Sequence, residues 1–153
     1  MLFRSIFICL CFGALGLTQW IKRRSLVKVD ADILLLGGYY ILVIACYLFF
    51  EMVPINYRPI LIEGVLEASY PSSTTLLVLS VIPTLIFQVN RRSESAAVRR
   101  IVTTAAVLFA AFMVIGRIVA GVHWLTDIFG AVLLSAGLYL IYRSAVLILD
   151  QRK

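Results

Sequence analysis

Arg117, His123 and Asp127 stand close together in one short stretch, GRIVAGVHWLTDIFG, between two long apolar runs, and His123 is the single histidine of the chain. Charged and titratable groups at a membrane boundary are costly unless something uses them. His123 and Asp127 are four residues apart, so at a helix start they share one face. A carboxylate placed there can hold one imidazole nitrogen and leave the other free as a nucleophile. Arg117 precedes His123 by six residues, on a different helical face, and Gly121 offers a break that turns the two toward each other.

A second stretch, EMVPINYRPILIEGVLEASYPSSTT, carries Arg58 and the turn Pro71, Ser72, Ser73 and Thr74. Proline followed by serine and threonine is a favourable helix start, and the exposed N–H groups of such a start suit a phosphate. Two arginines, Arg58 and Arg117, can fork around the same anion. Taken together, Arg58, Ser72, Ser73, Thr74, Arg117, His123 and Asp127 make a phosphate site with a histidine nucleophile. Singly, each residue has a plainer explanation. A boundary histidine is commonly a satisfied interfacial residue, an arginine can snorkel, and Pro-Ser-Ser-Thr can be no more than a helix start. Jointly, those explanations leave unaccounted for the gathering of all these residues on one side of a bundle. Glu63 and Glu67 in the same loop read as solvated charges, with replacement of a catalytic acid as the alternative.

The elements that must position these residues follow from composition. Hydrophobic residues make up 62% of the 153 and charged ones 14%, too little polar surface for a water-soluble globule. The chain reads as a single all-α integral-membrane domain over 1–153. Five apolar runs, at about 2–20, 31–50, 72–89, 101–120 and 124–149, are long enough or nearly so to cross the hydrocarbon core as helices. Pro83 falls inside the third and is expected to kink it. Lys22, Arg23, Arg24 and Lys28, then Arg91, Arg92, Arg99 and Arg100, then Arg143, Arg152 and Lys153 occupy alternate connections and the tail. The positive-inside rule puts all three groups in the cytoplasm, which leaves the N-terminus and the two site-bearing connections outside. Cleavage after Ala14-Leu15-Gly16, as in a secretory signal, would invert this order against the charge asymmetry, so the first helix is expected to be retained. The net charge of +6 sits in short loops between spans, a pattern of membrane topology and not of nucleic-acid binding. Cys9, Cys11 and Cys46 lie in apolar runs without metal-ligand spacing, and no metal or other cofactor is called for.

The spacing R-x5-H-x3-D formed by Arg117, His123 and Asp127 resembles the last signature of the type 2 phosphatidic acid phosphatase superfamily, which includes the vanadium haloperoxidases. YRP at Arg58 and Pro59 is similar to the end of its first signature, K-x6-R-P, and YPSSTT to its middle one, P-S-G-H. The resemblance covers about residues 31–149. It implies that His123 attacks phosphorus to give a phosphohistidine, that Asp127 orients it, and that Arg58, Arg117 and the Ser72–Ser73 turn, with Thr74, hold the phosphoryl oxygens. Two positions depart from the pattern: Glu51 stands where the family has lysine, and Thr74 where it has the histidine that protonates the leaving group. The resemblance implies a lipid phosphatase at the outer membrane face, in a chain whose small size suits a bacterium. Its partners would be the bilayer and a phosphorylated lipid: polyprenyl diphosphate favoured, phosphatidic acid or phosphatidylglycerol phosphate as further classes. The alternative is a catalytically impaired relative that binds or moves phospholipid headgroups.

Overall fold

The computed structural model of the protein describes residues 31–61 and 64–151. The span expected at 2–20 lies outside them, as does Glu63. Among the described residues the architecture is all-α, with four helices: α1 (Ala31–Met52), α2 (Ser73–Arg92), α3 (Ala96–Val119) and α4 (Leu125–Gln151). Each is long and apolar enough to cross a membrane. The protein is a multi-pass membrane protein.

The helices extend past the apolar runs at their charged ends. Beyond Val89, α2 continues through Arg91 and Arg92 because both side chains find partners on neighbouring helices. Arg91 makes a bidentate pair with Asp150 of α4 (2.6 and 3.1 Å), and Arg92 reaches Asp32 of α1 at 2.8 Å. Similarly, α3 begins five residues ahead of its apolar run, where the Ser95 hydroxyl caps the helix by accepting the Val98 N–H. Arg99, in its first turns, donates to the Ser93 carbonyl at 2.9 Å. These contacts gather the ends of α1, α2, α3 and α4 that carry Asp32, Arg92, Ser95 and Asp150 at one end of the bundle.

The most enclosed helix is α2, packed against α4 and α3. Val78 and Ile82 meet Ala106, Ala110 and Met113 of α3, where the two alanines let the backbones approach. A second cluster joins Ile33, Leu36, Tyr39 and Val43 of α1 to Leu138, Tyr142 and Val146 of α4. Outward faces carry large apolar side chains such as Ile41, Phe112, Phe129 and Leu133, as expected where lipid is the solvent. Several polar groups on α2 point inward and bond across helices, although the buried Ser80 hydroxyl has no partner among the described residues. Gln88 donates to the Tyr142 hydroxyl at 2.7 Å, Thr84 bonds the Tyr40 hydroxyl at 2.8 Å, and the Ser80 carbonyl accepts from Tyr39 at 3.0 Å. Such bonds contribute about 0.6 kcal/mol each in a bilayer, and they fix rotation as well as stability. Pro83 is accommodated inside α2 without ending it. At the opposite end of the bundle lie the α1–α2 connection and the α3–α4 turn.

Candidate active site

The α1–α2 connection folds back on itself. The Arg58 N–H donates to the Glu67 carbonyl (3.1 Å) and the Ser69 N–H to the Asn56 carbonyl (2.8 Å), with an antiparallel bridge between Tyr57 and Ala68. Gly64, at φ +80°, lies in the reversal between the two arms, a conformation that favours glycine. The returning arm, Ala68 to Ser72, crosses the start of α4 as a strap. The Ser72 N–H donates to the Asp127 carbonyl at 3.1 Å. The Tyr70 ring lies on Gly130, where a Cβ atom would overlap it, and is braced edge-on by Phe50 at 5.7 Å. From the other side, Gly121 turns the chain at φ +65° between α3 and α4. The Trp124 indole then donates to the Tyr57 carbonyl at 2.9 Å, locking that turn to the folded connection.

His123 and Asp127 are both buried, Asp127 completely. They share a face, with Nδ1 of His123 3.7 Å from Oδ2 of Asp127, a distance too long for a hydrogen bond. The shorter contacts of Nδ1 are to Ser69: its carbonyl oxygen at 3.1 Å and its hydroxyl at 3.2 Å. Asp127 in turn accepts from the Ser69 hydroxyl and from the Trp124 N–H at 2.9 Å, with the Asn56 amide 3.5 Å from its other oxygen. A buried carboxylate needs such donors, since an unpaired one is heavily penalised.

A cavity of about 510 Å³ opens over His123. Arg58, Ser73 and His123 line it, together with Tyr47, Glu51 and Glu67. Nε of Arg58 stands 3.0 Å from Glu67 Oε2, without the alignment of a hydrogen bond, so this contact is an ion pair. Arg117 comes up from the last turn of α3 and donates to the Thr74 hydroxyl. Ser72 is fully buried, its N–H on Asp127 and its hydroxyl 3.0 Å from that of Thr75, whereas Ser73 faces the cavity. Burial holds the His123 pKa below the ordinary histidine value. The Arg58 cation pushes the same way, opposed by Asp127 and the Ser69 carbonyl, and Arg117 adds a smaller lowering. The neutral imidazole is thereby favoured over the protonated one.

The PAP2 superfamily family model matches residues 38–148. The chain belongs to the PAP2 superfamily. No curated protein matches it. Among solved structures, this PAP2 chain is similar to a transmembrane PAP2-type phosphatidylglycerolphosphate phosphatase from Bacillus subtilis. Sequence identity is 21% and the TM-score 0.59, over 97% of this chain and 71% of that one. At that identity the likeness is one of fold.

The PAP2 fold thus brings Arg58, Ser73, Thr74, Arg117, His123 and Asp127 to one end of the bundle, and turns Ser72 into the wall behind them. Three contributors have no place in the spacing of the signatures. Ser69 touches both His123 and Asp127, Asn56 lies beside Asp127, and Glu67 occupies Arg58. Ser69 stands two residues before Pro71, and a small hydroxyl residue beside a signature turn was the available signal. Asn56 had none, because its place depends on how the connection folds back, and Glu67, read from the sequence as a solvated charge or a replacement acid, is paired with Arg58.

Proposed function

We propose that this PAP2 chain is a membrane phosphohydrolase that cleaves a lipid phosphate or diphosphate through a phosphohistidine intermediate. The observation that carries the proposal is the contact that the His123 ring makes with Ser69. Its Nδ1 faces a carbonyl oxygen, which can only accept, so the proton resides on Nδ1 and the lone pair on Nε2. Nε2 attacks phosphorus, the bond from phosphorus to the lipid oxygen breaks, and water later hydrolyses the N–P bond. Arg58, Arg117 and Ser73 hold the phosphoryl oxygens, and Asp127 offsets the positive charge that the ring acquires.

Thr74 favours a diphosphate substrate. Its hydroxyl accepts from Arg117 and is far too weak an acid to protonate an alkoxide. A lipid monophosphate leaving from a diphosphate does not need that proton, since the second pKa of a phosphate monoester is about 6. Polyprenyl diphosphate is therefore the preferred class, with phosphatidylglycerol phosphate, the substrate named for the similar Bacillus protein, and phosphatidic acid behind it. The basic residues at the opposite end of the bundle support an outward-facing site by the positive-inside rule. A second reading, a relative that binds or moves lipid headgroups without turnover, draws on the hold of Glu67 over Arg58. Phosphate release from these three lipids by purified protein and by His123→Ala tests both. Turnover that disappears in the variant supports hydrolysis. Lipid binding without turnover in either protein supports the second reading, and equal turnover in both proteins excludes the phosphohistidine.

A further inference from the structure

The direct partner of His123 in this structure is Ser69, a residue of the α1–α2 strap, and not the carboxylate of Asp127. Ser69 is buried and approaches Nδ1 with two acceptors at once, its carbonyl oxygen at 3.1 Å and its hydroxyl oxygen at 3.2 Å. Its hydroxyl proton is directed to Asp127 Oδ2. The carboxylate accepts that proton and the Trp124 N–H, and lies 3.7 Å from the imidazole. The hydroxyl is therefore oriented: hydrogen toward Asp127, lone pairs toward the ring. Both Ser69 groups accept from Nδ1–H, so one residue selects the tautomer that leaves Nε2 unprotonated.

We infer that Ser69 is a positioning residue for the nucleophile, a relay through which Asp127 acts on His123. The inference deepens the proposed phosphatase reading and rests on it for its kinetic arm. While Nε2 forms its bond to phosphorus and the lipid oxygen departs with the electrons of the bond broken, the Nδ1 proton stays in place and the ring becomes cationic. Ser69 then presents two oxygen dipoles to that proton, the hydroxyl polarised by the carboxylate behind it. Ser69→Ala keeps the carbonyl and removes the hydroxyl. It also deprives a buried carboxylate of one of its donors. The expected loss in kcat is that of a hydrogen bond serving a charged group, about 10- to 100-fold, with little change in KM.

Because His123 is the single histidine, one set of ring nitrogen resonances reports its tautomer without assignment. The experiment is nitrogen NMR on histidine-labelled protein, beside steady-state turnover, for wild type, Ser69→Ala, Ser69→Thr and Ser69→Cys. Wild type should show the Nδ1–H tautomer alone. Ser69→Ala keeps the carbonyl and should retain the Nδ1–H tautomer, but with a weaker Nδ1–H hydrogen bond, seen as an upfield shift of that proton, and with the loss in kcat. Ser69→Thr should restore both. Ser69→Cys, slightly larger and with a poorer acceptor, should fall between them and covers an alanine variant that fails to fold. An Nε2–H ring in wild type, or a Ser69→Ala ring indistinguishable from wild type, overturns the relay. The tautomer readout needs no turnover. The predicted change at Nδ1–H together with full activity in His123→Ala would sink the phosphohistidine reading and leave Ser69 as the residue that orients the ring.

Discussion

Gly130→Ala sets two magnitudes against each other in the helix that carries Asp127. In the interior of a helix the change should help, by about 0.5–1 kcal/mol, because glycine loses more conformational freedom on folding. Here the new methyl group would overlap the Tyr70 ring, whose position is braced by Phe50 at 5.7 Å. Forcing extra volume into a packed site typically costs about 1–3 kcal/mol, so a net loss of about 1–2 kcal/mol is expected. The larger consequence is for the site. Tyr70 follows Ser69 directly, and the Ser72 N–H ties the same strap to α4 at 3.1 Å. A ring pushed outward carries the partner of His123 with it, and a misplacement of about 1 Å can cost about 10²-fold in rate. Thermal unfolding in detergent and kcat on the preferred lipid, measured side by side, should show a modest fall in the first and a large one in the second. Replacing Tyr70 by Leu in the Gly130→Ala background should recover part of the stability. A Gly130→Ala protein at least as stable as wild type, with full turnover, would refute the claim that the strap is held by this contact.

Three further outcomes are expected. The acid limb of the rate–pH profile should lie below the ordinary histidine pKa of about 6.5, since burial and Arg58 disfavour the protonated ring; Arg58→Gln should move that limb upward in the residual activity, and an unchanged limb would remove Arg58 from the site. Thr74→His should raise kcat/KM for a phosphate monoester far more than for a diphosphate, toward the 10²–10⁴ range of general acid catalysis; a wild type that prefers the monoester and is indifferent to the change points to another acid. In a cysteine-free background, a cysteine at the exposed Ile55 should react with an impermeant thiol reagent applied outside, whereas one at the exposed Glu94 should not; the reverse pattern places the site on the cytoplasmic face.

The parts of the molecule legible in the sequence were those set by residue type and local spacing. Apolar runs gave the four described helices, within a few residues except at the start of α3. There the cap of Ser95 and the Arg99 contact carry the helix through charged positions that a hydropathy reading discards. The Arg117, His123 and Asp127 spacing located the α3–α4 turn, and Gly121 supplied it. The contact made by His123 Nδ1 was not legible, because a backbone carbonyl belongs to every residue and has no signature of its own. Nor was the inward rotation of Ser72, which depends on a bond to the Asp127 carbonyl that exists only once α4 is docked. The Arg58 pairing with Glu67 likewise follows from the reversal near Gly64, which brings the two arms of the connection side by side.

The strap has a consequence for how the chemistry comes into being. Arg58, Ser69, Ser73 and Thr74 precede the end of α2, while Arg117, His123 and Asp127 follow the start of α3. Each half of the chain thus holds one side of a lock. The imidazole alone has no fixed tautomer, and the strap alone has nothing to fix. On the proposed mechanism, competence for catalysis arises at a single moment, when α4 seats under Tyr70, and a partly inserted or misassembled chain is chemically silent. The connection between the halves, at Ser93 to Ser95, lies at the end of the bundle away from the cavity. A protein divided there should be inert as either piece and active when the two are inserted together, so that hydrolysis itself becomes a report of correct assembly in the bilayer.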